Sequence, residues 1–261
     1  MELEVDGKRV FAATGGRDFD PSLPAVLFIH GAGFDHTAWP LQARYFAHHG
    51  RAVLALDLPG HGKSAGPALA SIDEAAGWVG RLLDAAGVAK AALVGHSMGA
   101  LIALATAARA PDRVSALALL GIAARMPVHP DLLGAAERNE PRAGALIVDW
   151  GFGPAAHLGG HRAPGLWMMG DGLQTILRGA PGVLANDLAA CNAYDGAEAD
   201  AAKVACPTLF VLGAFDKMTP LKGGLALASK VAGARVARID CGHMMMVERP
   251  DATLDALREV L

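Results

Sequence analysis

The sequence has little cysteine, no long apolar run and little excess charge of either sign. Three cysteines among 261 residues are an odd number at wide spacing, which argues against a disulfide framework. No uninterrupted apolar segment is long enough to span a bilayer, so we expect no membrane span. The net charge of −3 is small and not clustered, which argues against nucleic acid or an anionic membrane surface as a partner.

The first residues also lack the order of a secretory signal. Residues 1–9 alternate charged and apolar side chains, whereas a signal places basic residues before an apolar stretch. These features favour a cytoplasmic enzyme or binding protein with a small-molecule partner, acting as a monomer or a homodimer.

What the chain does contain is a large hydrophobic fraction, 52%, arranged as short apolar runs between longer helical patterns. The runs predict strands at Leu3–Val5, Arg9–Ala13, Ala25–Ile29, Ala52–Leu56, Ala91–Val94, Val114–Gly121, Thr208–Gly213 and Arg235–Asp240. Helical spacing is found at Thr37–His49, Ser71–Ala86, Met98–Arg109, Leu221–Ala232 and Asp251–Leu261. This alternation predicts an α/β fold with a mostly parallel sheet covered by helices on both faces. In such sheets, chemistry collects beyond the carboxyl ends of the strands.

Residues 124–202 interrupt the alternation because they contain no convincing strand. A structureless loop of that length is improbable in a compact domain. We therefore predict a core domain of residues 1–123 and 203–261, and a mostly helical cap of residues 124–202 over the strand ends.

A candidate nucleophile follows the predicted strand at Ala91–Val94. The residues Gly95-His96-Ser97-Met98-Gly99 form a Gly-x-Ser-x-Gly pattern between that strand and a helix. A sharp strand-to-helix turn exposes the serine oxygen, and the two glycines remove side chains that would collide there. The pattern predicts Ser97 as a nucleophile.

A serine nucleophile needs a base, which in turn needs a group that orients it. His243 lies just past the last predicted strand, and Asp216 lies in the turn after Thr208–Gly213. The alternative position for the acid, residues 121–126, contains no carboxylate. Each of Ser97, Asp216 and His243 follows a strand of its own, which predicts a catalytic triad.

The negative charge that forms on an attacked carbonyl oxygen requires two hydrogen-bond donors. One is predicted to be the backbone N–H of Met98, directly after the nucleophile. The other should come from the loop after Ala25–Ile29, where Ala32 is the first choice and Gly33 the second.

Several segments together match the motifs of one family. They are His30-Gly31-Ala32-Gly33, Asp57-Leu58-Pro59-Gly60-His61-Gly62-Lys63-Ser64, Gly95-His96-Ser97-Met98-Gly99, Gly213-Ala214-Phe215-Asp216-Lys217-Met218-Thr219-Pro220, and Gly242-His243 with Glu248-Arg249-Pro250-Asp251. In these segments the chain resembles the α/β-hydrolase superfamily, in its serine-nucleophile branch.

The resemblance implies an eight-stranded, mostly parallel sheet whose second strand is antiparallel, and a variable cap. It also implies acyl-enzyme hydrolysis without a metal or an organic cofactor. Because serine and not aspartate stands at position 97, the epoxide and haloalkane branches are disfavoured. Residues 57–64 are shared across branches and are interpreted as structural.

The substrate pocket is expected to be apolar, with Phe34, Trp150, Trp167 and Met244 as candidate lining residues. A metal site is not expected. His157 and His161 have the spacing of two ligands on one helical face, but the glycines between them weaken a helix and no third ligand is evident.

The sequence therefore predicts a serine hydrolase that cleaves a small to medium, largely apolar carboxylic ester. One alternative is a carbon–carbon bond hydrolase of dienoic keto acids, whose substrate carboxylates require cations in the pocket. The candidates for those cations lie in the insertion: Arg125, Arg138, Arg142, Arg162 and Arg178. A cofactor-free perhydrolase or haloperoxidase side activity is a further option, and a non-catalytic small-molecule receptor of the same fold is the alternative from another class.

Overall fold

Eight strands form one sheet in the computed structural model, which describes residues 1–160 and 165–261. The strands are β1 (Glu2–Val5), β2 (Lys8–Ala13), β3 (Ala25–Ile29), β4 (Ala52–Leu56), β5 (Ala91–His96), β6 (Val114–Leu120), β7 (Thr208–Gly213) and β8 (Arg235–Ile239). Their order across the sheet is β1-β2-β4-β3-β5-β6-β7-β8. Strand β2 runs antiparallel to both of its neighbours, whereas the pairs from β4 to β8 are parallel. The predicted fold class is thereby confirmed.

The described residues also form helices, which either cover the two faces of the sheet or lie in the segment between β6 and β7. They are α1 (Pro40–His48), α2 (Ile72–Ala85), α3 (Met98–Arg109), α4 (Pro130–Glu137), α5 (Pro141–Gly151), α6 (Pro154–His157), α7 (Met168–Leu177), α8 (Val183–Ala193), α9 (Ala197–Ala201), α10 (Leu221–Ala228), α11 (Met245–Glu248) and α12 (Pro250–Arg258). Alternate residues of β3 pack on opposite faces. Leu27 belongs to the core cluster that contains α2 and α3, whereas Phe28 contacts Trp39 and Phe46 on the α1 side.

Some predicted boundaries differ from the observed ones for local reasons. The helix expected over Thr37–His49 is a short 3₁₀ turn at His36–Ala38 followed by α1. Helix α1 starts at Pro40 because proline lacks an N–H and fits the first helical position. Strand β6 stops before Gly121, whose φ of +59° turns the chain away from the sheet.

In the described residues between β6 and β7, the regular secondary structure is helical: α4–α9 are joined by turns and irregular segments. We refer to α4–α9 as the cap helices. The division into a core of residues 1–123 and 203–261 and a cap of residues 124–202 stays a prediction. His161 and Arg162, both considered above, lie outside the described residues. Across the described parts of the chain, the helices lack the length and apolar character needed to cross a membrane.

Candidate active site

Ser97 occupies the turn that joins β5 to α3. Its backbone has φ 54° and ψ −116°, a combination that a residue with a Cβ rarely adopts. The turn has no space for a side chain at positions 95 and 99. A Cβ on Gly95 would lie 2.1 Å from the Gly99 carbonyl oxygen, and a Cβ on Gly99 would lie 2.2 Å from the Ile29 carbonyl oxygen. Ser97 is thereby held at the carboxyl edge of the sheet, at the positive end of the α3 dipole.

His243 and Asp216 form a buried pair at the same edge. Asp216 follows β7 and His243 follows β8, two strands that pair in parallel up to Gly213 and Ile239. Nδ1 of His243 lies 2.8 Å from Oδ2 of Asp216. Because a carboxylate can only accept, this bond places the proton of the neutral ring on Nδ1 and leaves the lone pair on Nε2.

The carboxylate of Asp216 is held by several donors. The backbone N–H groups of Met218 and Thr219 donate to Oδ1 at 2.9 and 2.8 Å, and the Thr219 hydroxyl donates to Oδ2 at 2.7 Å. Burial alone would raise the pKa of Asp216, but the interaction with His243 and these hydrogen bonds outweigh it and hold the pKa below its usual range. Asp216 is therefore ionised at neutral pH.

Nε2 of His243 is buried and has no hydrogen-bond partner in the described part of the chain. It lies on the opposite side of the ring from Asp216, and His243 lines the same cavity as Ser97. The ring fits because residue 121 is glycine: a Cβ there would come within 2.9 Å of Nδ1. The structure thus brings Ser97, Asp216 and His243 together, with an unpaired nitrogen beside the cavity.

The loop after β3 brings a free backbone donor, the N–H of Ala32, to this cavity. Ala32 lines the cavity, and its N–H has no partner among the described residues. The N–H of Gly33 donates instead to Asp187 at 2.9 Å, so it is not available to a substrate. The N–H of Met98 lies in the first turn of α3, where helical N–H groups have no partner within the helix. Of the two loop donors expected from sequence, Ala32 and Gly33, only the N–H of Ala32 has no partner among the described residues.

The cavity above Ser97 has a volume of about 370 Å³ and mostly apolar walls. Its lining includes Phe34, Met126, Val128, Leu132, Ile147, Trp150, Leu188, Met218 and Met244. Of the predicted pocket residues, Phe34, Trp150 and Met244 are therefore at the cavity. Trp167 is not. It stands at the N-cap of α7, 64% exposed, with its ring against Gly170, so the expectation for Trp167 is corrected.

Cationic side chains are scarce at the cavity. Arg125, Arg138, Arg142 and Arg178 do not line it, whereas Lys217 does. Arg125 pairs with Asp195 at 3.6 Å and Arg138 with Glu140 at 2.6 Å. Arg162 lies outside the described residues.

Among the residues that the structure describes, one group of side chains has ligand atoms close enough together to hold a metal ion. It consists of Asp35, His36 and Asp57, whose ligand atoms lie within 4.8 Å of one another. Oδ1 of Asp57 already contacts both the backbone N–H and Nδ1 of His36, at 2.8 and 2.7 Å. None of the three residues lines the Ser97 cavity. These hydrogen bonds account for the cluster without an ion.

Comparison with known proteins identifies the family of the fold. The family model for the alpha/beta hydrolase fold matches residues 24–152. A pimeloyl-[acyl-carrier protein] methyl ester esterase of Chromobacterium violaceum is 34% identical over 226 residues, which cover 81% of this chain and 83% of that protein. The chain belongs to the α/β-hydrolase family.

Two other α/β hydrolases show the range of similarity. The 2-hydroxymuconate semialdehyde hydrolase of Pseudomonas sp. (strain CF600) is 32% identical, over 93% of this chain and 89% of that protein. The crystal structure of the enol-lactonase from Burkholderia xenovorans LB400 superimposes with a TM-score of 0.88 at 26% identity, covering 99% and 98% of the two chains.

Some relatives are longer than this chain. The chain spans 30% and 41% of two dihydrolipoyllysine-residue acetyltransferase components of acetoin cleaving systems, from Cupriavidus necator and Pseudomonas putida.

In this α/β hydrolase, sequence reasoning missed His96. Its Nε2–H donates to the backbone carbonyl of His243 at 2.9 Å, and the two rings lie 4.7 Å apart. Burial and the neighbouring His243 hold the pKa of His96 well below its usual value, so the ring stays neutral and helps to fix the backbone that carries His243. The only signal in the sequence was its position between Gly95 and Ser97, which does not reveal a contact 147 residues away.

Proposed function

We propose that this α/β hydrolase cleaves small to medium, largely apolar carboxylic esters through an acyl-enzyme on Ser97. The observation that carries the proposal is the buried His243–Asp216 pair, 2.8 Å apart, whose unpaired Nε2 faces away from Asp216 beside the cavity that Ser97 lines. A neutral histidine with a free lone pair beside the serine is the base that activation of a serine nucleophile needs.

The mechanism follows from the donors and acceptors at the site. Nε2 of His243 takes the Ser97 proton as the serine oxygen attacks the ester carbonyl. The N–H groups of Ala32 and Met98 stabilise the charge on the carbonyl oxygen, while Asp216 holds the ring and offsets its positive charge. His243 then gives the proton to the leaving alcohol and activates a water molecule that releases the acid.

The cavity supports a substrate of limited size and low polarity. Its volume of about 370 Å³ lies toward the lower end of the roughly 300–1,000 Å³ that is usual for small-molecule sites. Aliphatic and aromatic side chains from α4, α5 and α8 line the cavity together with Ser97. A short to medium acyl chain fits such a cavity without leaving polar groups unpaired.

The second candidate is hydrolysis of a carbon–carbon bond in a substrate that carries a carboxylate. Lys217 favours it, since this cation lines the cavity directly after Asp216, and the relatives include 2-hydroxymuconate semialdehyde hydrolase. The described arginines of the insertion do not support it, because they lie away from the cavity.

The proposal is tested by labelling and turnover together. A fluorophosphonate should label wild-type protein stoichiometrically at Ser97, and p-nitrophenyl esters from acetate to laurate should give the highest kcat/KM at short to medium length. Ser97→Ala should abolish labelling and lower kcat by roughly 10³- to 10⁶-fold while the protein stays folded. Ser229→Ala, at an exposed serine just past α10, is the matched control.

Each contrary outcome has a distinct meaning. Near-wild-type ester turnover by Ser97→Ala contradicts the nucleophile. Absence of labelling and turnover in wild type favours a receptor of the same fold. Turnover that does not vary along the ester series indicates that the substrate is not a simple ester.

A further inference from the structure

A cap helix reaches the loop after β3 through one buried carboxylate, that of Asp187 on α8. Asp187 is 2% exposed and does not line the Ser97 cavity. Its Oδ2 accepts the N–H of Gly33 and lies 2.7 Å from Nε2 of His61. A single oxygen atom therefore joins α8, the loop after β3 and the loop after β4.

The hydrogen-bond partners of His61 determine its charge. Nδ1 lies 3.1 Å from the carbonyl oxygen of Pro59, and Nε2 faces the carboxylate of Asp187. Both partners can only accept, so both ring nitrogens carry a proton and His61 is an imidazolium. Burial alone would lower the pKa of His61, but the hydrogen bond and charge of Asp187 raise it above its usual value.

His30 holds the same loop from the side of the sheet. Its ring lies 4.8 Å from that of His61, and burial, followed by the charge of His61, lowers the pKa of His30 to about 4. The neutral ring donates from Nδ1 to the Gly31 carbonyl at 2.9 Å and accepts the N–H of Leu58 at Nε2, 3.1 Å away. The Gly31 carbonyl shares its peptide plane with the N–H of Ala32.

The two peptides that flank Ala32 are thus fixed from opposite sides. His30 holds the peptide before it, and Asp187 holds the peptide after it through Gly33. The free N–H of Ala32 lies between these two attachments and has little freedom to rotate. Leu188 and Cys191 on the same helix line the cavity, so α8 both forms the wall of the cavity and fixes this loop.

We propose that Asp187 is a positioning residue for catalysis: from the cap, its carboxylate holds the loop after β3 so that the N–H of Ala32 faces the oxygen that becomes negatively charged. The inference rests on the function proposed above. Asp187 acts through Gly33 and His61 and does not touch the substrate.

The test compares kcat with the affinity for two ligands of different charge distribution. A trifluoromethyl ketone adds to Ser97 and forms an oxyanion, whereas the product acid binds the cavity without forming one. Asp187→Asn and Asp187→Ala should lower kcat by roughly 10- to 100-fold, which is the size expected when a catalytic group is slightly misplaced. KM and the product affinity should change little, and the ketone affinity should fall in parallel with kcat.

Two further variants make the test decisive. Asp149→Asn removes an exposed carboxylate from α5 and should leave kcat and ketone affinity unchanged. His61→Gln removes the cation but leaves Asp187 bound to Gly33, so it should give a smaller loss of kcat than Asp187→Ala. If Asp187→Ala does not fold, the comparison of Asp187→Asn with His61→Gln provides the answer.

Failure of this inference differs from failure of the proposed function. Wild-type kcat and ketone affinity in the folded Asp187 variants overturn the positioning role. So does an equal loss of ketone and product affinity, which indicates only a distorted cavity. If wild type itself neither hydrolyses esters nor binds the ketone, the proposed function is what fails.

Discussion

Asp216 is the residue whose replacement should most directly reveal how His243 is oriented. Its carboxylate accepts from His243, Thr219 and the backbone of residues 218 and 219. Asparagine has the same shape, but its NH₂ group can donate to the His243 ring and favour the tautomer with the proton on Nε2. That ring can no longer accept the Ser97 proton.

We therefore expect Asp216→Asn to lower kcat by roughly 10²- to 10⁴-fold while the overall fold is retained. Steady-state kinetics and the rate of fluorophosphonate labelling measure the effect, with Asp255→Asn, an exposed carboxylate on α12, as the control. A loss of less than a few fold would show that another group orients His243.

The contact between His61 and Asp187 near the site could not be predicted from the sequence, and the reason is physical. Ser97, Asp216 and His243 each follow a strand, and the ends of parallel strands meet at one edge, so their proximity was predictable from chain order. His61 and Asp187 are 126 residues apart, and one of them lies in an insertion without strand periodicity. No local pattern determines which face of α8 meets the loop after β3.

At the scale of elements, the β5–turn–α3 unit needs glycine at positions 95 and 99, because backbone atoms fill the space that a side chain would occupy. Neither Gly95 nor Gly99 has a positive φ, so the constraint is space and not conformation. Strand β5 continues to His96, past the predicted end at Val94, because the turn is packed directly against the end of the strand. The apolar run predicted the strand, whereas its exact end was set by that packing.

Gly99→Ala should destabilise the protein, since its Cβ would lie 2.2 Å from the Ile29 carbonyl oxygen, which cannot move without disturbing β3. We expect the free energy of unfolding to fall by about 2–5 kcal/mol, as measured by urea denaturation. Gly80→Ala is the matched control. It lies in α2 with no atom within 4 Å of the new Cβ, and it should raise stability by about 0.5–1 kcal/mol. Equal effects of the two substitutions would contradict the steric account.

At the scale of the whole molecule, hydrogen bonds near the site join the cap segment to the loops that follow the strands of the sheet. The N–H of His243 donates to the Gly151 carbonyl at 2.6 Å. Glu248 accepts the N–H groups of Gly153 and Gly242, both at 2.9 Å. The loops that carry His243 and Ala32 are therefore each attached to the cap, so movement of the cap relative to the sheet would alter both loops together.

The contact between Asp187 and His61 makes part of the free energy of unfolding depend on pH. The folded-state pKa of His61 is raised, so its contribution is fully present below the unfolded pKa and is lost as pH rises through the folded pKa. Above about pH 7 the neighbouring groups do not reverse this trend. His30, whose pKa is lowered, is then neutral in both states, Asp57, whose pKa is also lowered, is ionised in both, and burial followed by Asp187 raises the pKa of the Cys191 thiol.

Asp187→Asn should remove this dependence together with the ion pair. Near neutral pH we expect the variant to be less stable than wild type by about 1–3 kcal/mol, because a buried charge-assisted hydrogen bond is replaced by a neutral one. The difference should shrink as pH rises, since wild-type His61 then loses its proton and its pair with Asp187. Urea denaturation of both proteins at several pH values from about 6 to about 9.5 measures it. A difference that stays constant over this range would mean that His61 carries no charge in the folded protein, and that the loop after β3 is held by the bond between Asp187 and Gly33 alone.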